Sequence, residues 1–358
     1  MKGVIAAGDP QTAAAGREIL ELGGNAVDAA VAAVFASFVA ESVMTNIGGG
    51  GLALLVDRDA PDGIVYDFYV NMPSGPATKD MDFHEIVSDY GAEQVPLHIG
   101  RASAAVPGLV PGLCALAEER GTLPLRSLLA PAIRMARQGV ALSAPQEYVL
   151  DFLAPIYADT PEITRMYSRD GKPWLAGETK SFPALANTLE GLTQHGSVSF
   201  TKGKFAQAIV ADQERNGGLI TSEDLRDYQV HRPEPIRVGY RDVELLLPPV
   251  PSSGGALIAF ALKLLESVQV DQFSHNSAEH IRVLTETMRL TNVARPVWDA
   301  PASSAEERLA RFLDGAHVLI YQDALRSILA GEMPPNEPAP PREPDHTTHI
   351  SVIDALGN

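Results

Sequence analysis

One cysteine, Cys114, stands in 358 residues. A disulfide within the chain is therefore excluded, and with no CxxC pair and only scattered histidines there is no zinc pattern either. No metal or organic cofactor is expected. Positive charge is also scarce, with 28 Lys plus Arg against 45 Asp plus Glu and a net charge of -17. A chain this acidic repels nucleic acid and anionic membrane surfaces, and no local basic patch offsets it. Long apolar runs are missing as well. The longest, Ala26 to Ala40, is interrupted by Asp28 and Ser37 and falls short of the roughly 20 residues that span a bilayer; it reads as a buried helix. The opening segment Met1 to Gly8 carries too short an apolar run before Asp9-Pro10 for a signal peptide, so the expected compartment is the cytoplasm. What the chain does have is 45% apolar residues, ample for the core of one large or two ordinary domains.

Asp9 followed by Pro10 starts a helix that Gly23-Gly24 stops near Leu22, and Asn25 caps a second helix through Ala40. Four glycines, Gly48 to Gly51, then precede an apolar strand at Leu52 to Val56. Phosphate loops run strand, glycines, helix, whereas here the order is helix, glycines, strand. Nucleotide binding is disfavoured, and glycines pressed against another backbone or lining a small pocket fit better. Asp62-Gly63 turns that strand into a second at Ile64 to Tyr69, a hairpin.

Further helices are expected at Leu113 to Arg120, Leu128 to Gln138, Gln146 to Tyr157, Pro183 to His195 and Thr201 to Asn216. A hairpin at Ile236 to Tyr240 and Val243 to Leu247 leads through Pro248 to Gly255 into a helix, Ala256 to Glu266. Ser252 and Ser253 there either hold an anion at the helix start or merely cap it. Helices at Ser277 to Asn292, Ser304 to Leu313 and Ala316 to Leu329 follow. Residues 1–332 thus read as one continuous α/β region with a helical excursion in its middle, and residues 333–346 as a Pro-rich tether.

The tether ends at Asp345-His346, and a β-branched run with strand alternation begins, Thr347-Thr348-His349-Ile350-Ser351-Val352. A hydroxyl residue at a strand start after an exposed tether suits an enzyme that cuts its own backbone. The α-amino group freed on Thr347, with an ordinary pKa of about 7.7 to 8, then serves as base for the same residue's hydroxyl. The same composition also occurs in ordinary strands, so the motif needs its context.

That context resembles the gamma-glutamyltranspeptidase family of N-terminal nucleophile hydrolases over nearly the whole chain. The resemblance rests on Leu22 to Ala30, Ile47 to Gly51, Val106-Pro107-Gly108 with Gly112, Pro131-Ala132 with Ala136, Asp224-Leu225 with Tyr228, Pro248-Pro249 with Ser252 to Gly255, and Thr347 to Val352. It implies an αββα sandwich and a proenzyme cleaved before Thr347 into a large and a small subunit, with residues 347–358 opening the small one. Thr347 would attack a γ-glutamyl or related small amide, and the acyl group would pass to water or an amino acid. Thr348 and His349 match the motif in a supporting role.

Two departures from the family are visible. Where the family carries a carboxylate-gripping arginine in an Arg-Glu-Met-Ala-Pro motif, this chain reads Asp67 to Pro73 without arginine. A bidentate clamp is lost, and Tyr69 and Asn71 are left as neutral candidates for substrate binding. The family's small subunit also continues well beyond 12 residues and supplies the oxyanion donors, each worth on the order of 10² to 10³ in rate. The remaining sequence, or a second chain, would supply them. The alternative is a non-catalytic member acting as an association partner, and a homo-oligomer fits either reading.

Overall fold

The computed structural model describes residues 3–89, 94–169, 171–332 and 348–358. These divide into two compact units. The first holds the described residues of 1–61, 66–232 and 344–358; the second holds 62–65 and those of 233–343. The sequence reading took 1–332 as a single region. The run His231-Arg232-Pro233-Glu234-Pro235 at the crossing is the signal that marks the boundary, since alternate prolines favour an extended connection.

In the first unit, strand β1 (Gly3–Ala6) pairs antiparallel with the last strand, Ser351–Asp354, in the register Gly3 to Asp354 and Ala6 to Ser351. Helix α1 (Pro10–Glu21) starts where expected, the Asp9 carboxylate accepting the Gln11 amide at 2.7 Å. Helix α2 (Ala26–Ala40) is buried on nearly every face, as its all-round apolar composition requires. Its start is a capping box: Asn25 accepts the Asp28 amide and Asp28 accepts the Asn25 amide. Strands β2 (Gly51–Leu55) and β3 (Ile64–Phe68) form the expected hairpin. A second hairpin, β4 (His84–Asp89) with β5 (Gln94–Ile99), was not read from the sequence.

Helix α3 (Leu109–Arg120) begins four residues ahead of expectation, because Pro111 falls in its first turn, where a missing N–H costs nothing. Helix α4 (Leu125–Gln138) follows and packs on α2. The helix expected from Gln146 to Tyr157 is two, Ala144–Phe152 and Ala154–Tyr157, since Pro155 cannot donate across the break.

The second unit lays helix Gly254–Leu265 on the antiparallel hairpin Ile236–Tyr240 and Val243–Leu247. Helices Ala278–Asp299, Ala305–Phe312 and Gly315–Leu329 complete it. Its core holds Phe260, Leu264, Trp298, Phe312 and Leu325, with the Phe260 and Phe312 rings stacked at 4.6 Å between centroids. Among the described residues, no helix is long and apolar enough to cross a membrane.

Candidate functional site

The last strand, Ser351–Asp354, directly follows Thr348-His349-Ile350 of the motif, and burial alternates through both. Residues 348, 350, 352 and 354 are turned inward, while 349, 351 and 353 are exposed, the period of two that a half-covered strand demands. Thr347 itself lies outside the described residues. Continuing the β1 register past Ala6 and Ser351 sets Gly8 opposite His349, one residue after Thr348. A Cβ placed on Gly8 would sit 2.9 Å from Thr348 Oγ1 and 2.7 Å from Glu41 Oε2, so only glycine leaves room for the two side chains to converge.

Glu41 is buried, follows the last residue of α2, and accepts the Thr12 hydroxyl at 2.7 Å. Carboxylates are disfavoured at the negative end of a helix. Among the described residues, no Lys, Arg or His lies within ion-pair distance of Glu41. Sequence reasoning missed Glu41, Thr12 and Gly8. His349 points outward, and its Nε2 pairs with Ser351 Oγ at 2.9 Å.

The far end of the strand is held by Asp354. Its carboxylate accepts the Ala26 amide at 3.1 Å, the Leu356 and Asn358 amides at 2.8 and 3.1 Å, and the Asn358 side chain at 3.0 Å. Burial raises its pKa, but these hydrogen bonds, Asn358 foremost, outweigh burial and hold the group below its ordinary value. Asp28 is likewise buried, accepting the Thr122 amide at 3.0 Å and the Thr122 hydroxyl at 2.6 Å. The stretch Asn25 to Asp28 is thus the joint between α2, the turn after α3, and the last strand.

Tyr69 and Asn71 lie on the loop after β3. Asn71 forms a two-way bridge with Val106, its amide donating at 3.1 Å and its carbonyl accepting at 2.8 Å. The Tyr69 carbonyl accepts the Tyr228 hydroxyl at 2.6 Å. Burial, and then the charge of Asp67, push the Tyr228 phenol above its ordinary value, so it remains a donor. The Ser74 amide is held by Asp224 at 3.1 Å. Gly50 lies against this loop: a Cβ there would meet the Val70 nitrogen at 2.6 Å. Gly49 offers its carbonyl to the Gly108 and Leu109 amides at 3.1 and 3.0 Å. The glycine run is therefore a packing surface and a cap for α3, the alternative favoured over a phosphate cradle. The side chain of Tyr69 is about half exposed, available to a ligand.

Ser252 and Ser253 belong to the second unit. Ser252 Oγ accepts the Gly254 amide at 3.2 Å, and Ser253 is the N-cap of helix Gly254–Leu265 without a side-chain cap bond. Of the two sequence readings, Ser252 takes the capping one. A Cβ on Gly255 would meet the Pro248 carbonyl oxygen at 1.9 Å, which accounts for the second glycine. The lone thiol offers no competing nucleophile: burial pushes Cys114 up to about 12, far from thiolate character. Among the described residues there is no cluster of His, Cys, Asp and Glu able to hold a metal ion.

A family model described as gamma-glutamyltranspeptidase matches residues 12–358. The chain is 33% identical over 364 residues to an acylase ACY 1 proenzyme of Pseudomonas sp. (strain V22), covering 100% of this chain and 64% of that protein. It is 34% identical over 363 residues to a glutathione hydrolase proenzyme of Pseudomonas aeruginosa, covering 99% of this chain and 62% of that protein. The chain thus spans less than two thirds of the length of these relatives. Among solved structures, Helicobacter pylori gamma-glutamyltranspeptidase superposes with a TM-score of 0.78 at 29% identity, over 91% of this chain and 92% of that one. The fold is therefore that of the N-terminal nucleophile hydrolases, and the chain belongs to the gamma-glutamyltranspeptidase family.

Proposed function

We propose that this protein is an autoprocessing amidase or acyltransferase whose nucleophile is Thr347. The observation that supports it most is the seating of the last strand. Thr348 is packed into a closed polar corner with Glu41 and Gly8, and Asp354 ties the strand's other end to the start of α2. Such anchoring on both sides fixes the strand that carries the adjacent residue, as a self-cleaving junction requires. Cleavage between His346 and Thr347 then frees the amine that takes the proton from the Thr347 hydroxyl. Attack on an amide carbonyl expels the amine product and leaves an ester on Thr347, which water or an amino acid resolves.

The intact mass of the product of the complete open reading frame tests this. Two fragments split between His346 and Thr347, merging into one species in Thr347→Ala, are expected. A single uncleaved species in both overturns the proposal.

The substrate proposed is an acyl amide in which an α-carboxylate is not the main handle. Tyr69 and Asn71 stand in the stretch where an arginine would grip it, and a neutral hydrogen bond replaces a charged bidentate one. The acylase and the glutathione hydrolase are about equally similar to this chain, which suits either acyl group. With a γ-glutamyl anilide and a 4-aminobutyryl anilide, which lacks the carboxylate, kcat/KM is expected to agree within about tenfold; charged hydrogen bonds of about 1.5–3 kcal/mol would otherwise separate them by 10- to 100-fold.

The association reading has its own support. Val4 and Ile353 are cross-strand partners, each more than half exposed on one face of the strand pair. That face is the proposed seat for further chain, a second subunit or another copy.

A further inference from the structure

We propose that the second unit contains a binding site for a small apolar monocarboxylate, with Arg308 as its anion contact. A cleft of about 340 Å³ is lined by Val250, Pro251, Trp298, Ala305 and Arg308. That volume is at the lower end of the range for small-molecule sites, and four of the five residues are apolar.

The charge balance singles out Arg308. In the second unit, Arg237 pairs with Asp62 and Glu244, Arg241 with Asp271, Arg289 with Glu286, Arg295 with Asp299 and Arg326 with Asp323. Arg282 donates to the Ile328 carbonyl, and Arg311, on the same helix as Arg308, to the carbonyls of Val297, Ala300 and Pro301. Arg308 alone among the described arginines of this unit has neither carboxylate nor carbonyl, and its Nε is buried without a hydrogen-bond partner. In a chain of net charge -17 acidic partners are plentiful, yet the two nearest in sequence are turned elsewhere. Glu307 accepts the Ser303 amide and hydroxyl, and Glu306 the Ser304 hydroxyl.

A guanidinium N–H left buried without a partner is costly, and a carboxylate recovers that cost through two parallel N–H to oxygen bonds. The guanidinium carbon lies 5.6 Å from the Trp298 ring centroid, so the ring holds the fork in place by a cation–π contact. Among the described residues that line the cleft, one arginine is the sole cation, which suits a monoanion rather than a phosphate. The apolar walls call for an aryl or branched alkyl body.

The test uses phenylacetate and its neutral isostere phenylacetamide. The chain has two tryptophans, so a Trp174→Phe background leaves Trp298 as the sole reporter. A saturable change in Trp298 emission with phenylacetate, at least about tenfold weaker with phenylacetamide, is expected. Arg308→Gln should abolish that preference and Arg308→Lys weaken it, since an ammonium cannot make the fork. Ala305→Phe should block both ligands by filling the cleft, with thermal unfolding confirming that each variant folds. Equal binding of the two ligands, absence of saturation, or an unchanged preference in Arg308→Gln overturns the proposal.

Discussion

Replacing Gly50 by alanine separates packing from ligand binding in the glycine run. The new Cβ would lie 2.6 Å from the Val70 nitrogen, 2.9 Å from the Tyr69 carbonyl carbon and 3.0 Å from the Phe68 oxygen. All three are backbone atoms, tied down by the Tyr228 bond to the Tyr69 carbonyl and the Asn71 bridge to Val106, so none can swing aside as a side-chain tip would. Overpacking costs about 1–3 kcal/mol, and a rigid neighbour puts Gly50→Ala near about 3 kcal/mol. For a protein of this size that lowers the midpoint of thermal unfolding by roughly 4 °C. Gly48→Ala is the control, because its Cβ meets only the Asn46 side-chain oxygen, at 3.3 Å, and should stay within about 0.5 kcal/mol of the parent. Circular dichroism melts of both variants, beside a nucleotide titration of the parent, give the answer. Equal melting of the two variants would refute the packing argument, and saturable nucleotide binding lost in both would revive the phosphate cradle.

Asp354→Ala should cost about 2–3 kcal/mol by removing charge-assisted bonds and leaving the Ala26 amide buried without an acceptor, measured by denaturant unfolding. Because its folded pKa is depressed, its contribution is complete above the ordinary value of 3.8 and disappears as pH falls through the lower folded value; Asp354→Asn should flatten that acid limb. Lys180 is buried against the Tyr167 and Phe182 rings, 3.6 and 4.4 Å from their centroids, and burial lowers it from 10.5 to about 7. The unfolded chain then holds the proton more tightly, so stability should climb from about pH 7 towards 10.5. Lys180→Met should remove the slope and add about 2 kcal/mol at neutral pH; an unchanged pH profile of the melting midpoint would contradict this. The pair Val4→Thr with Ile353→Thr should reduce self-association in sedimentation, and no change would remove the exposed face as its cause.

Local rules made much of the fold legible. Asp9 and Asn25 announce helix starts, and each caps as its residue type allows. The alternation after Thr347 announces a strand, and the last strand lies in that run but starts at Ser351. The hairpin β4–β5 escaped because half of its residues are polar or charged and both strands are largely exposed; Val95, Leu97 and Ile99 do alternate in β5, but Pro96 among them argues against a strand. The second unit's boundary escaped because one of its segments, residues 62–65, lies inside a hairpin read as continuous, and a four-residue segment leaves no compositional trace.

The candidate site shows the same division more sharply. Thr348 was named from the sequence only through the family motif, in a supporting role beside Thr347, whose neighbours carry the meaning. Glu41 was not, since every group that gives it meaning is remote: Thr12 lies 29 positions away, and Thr348 and Gly8 meet it only once β1 and the last strand have paired. In sequence Glu41 is merely the first polar residue after an apolar helix. In the folded chain it is a buried carboxylate at the wrong end of a helix dipole, close to Gly8 and Thr348. Stability alone does not account for that placement, because an uncharged residue there would avoid both the dipole and the desolvation penalty. A group held there against both costs, and packed beside Thr348, is better explained by what it orients than by what it holds together.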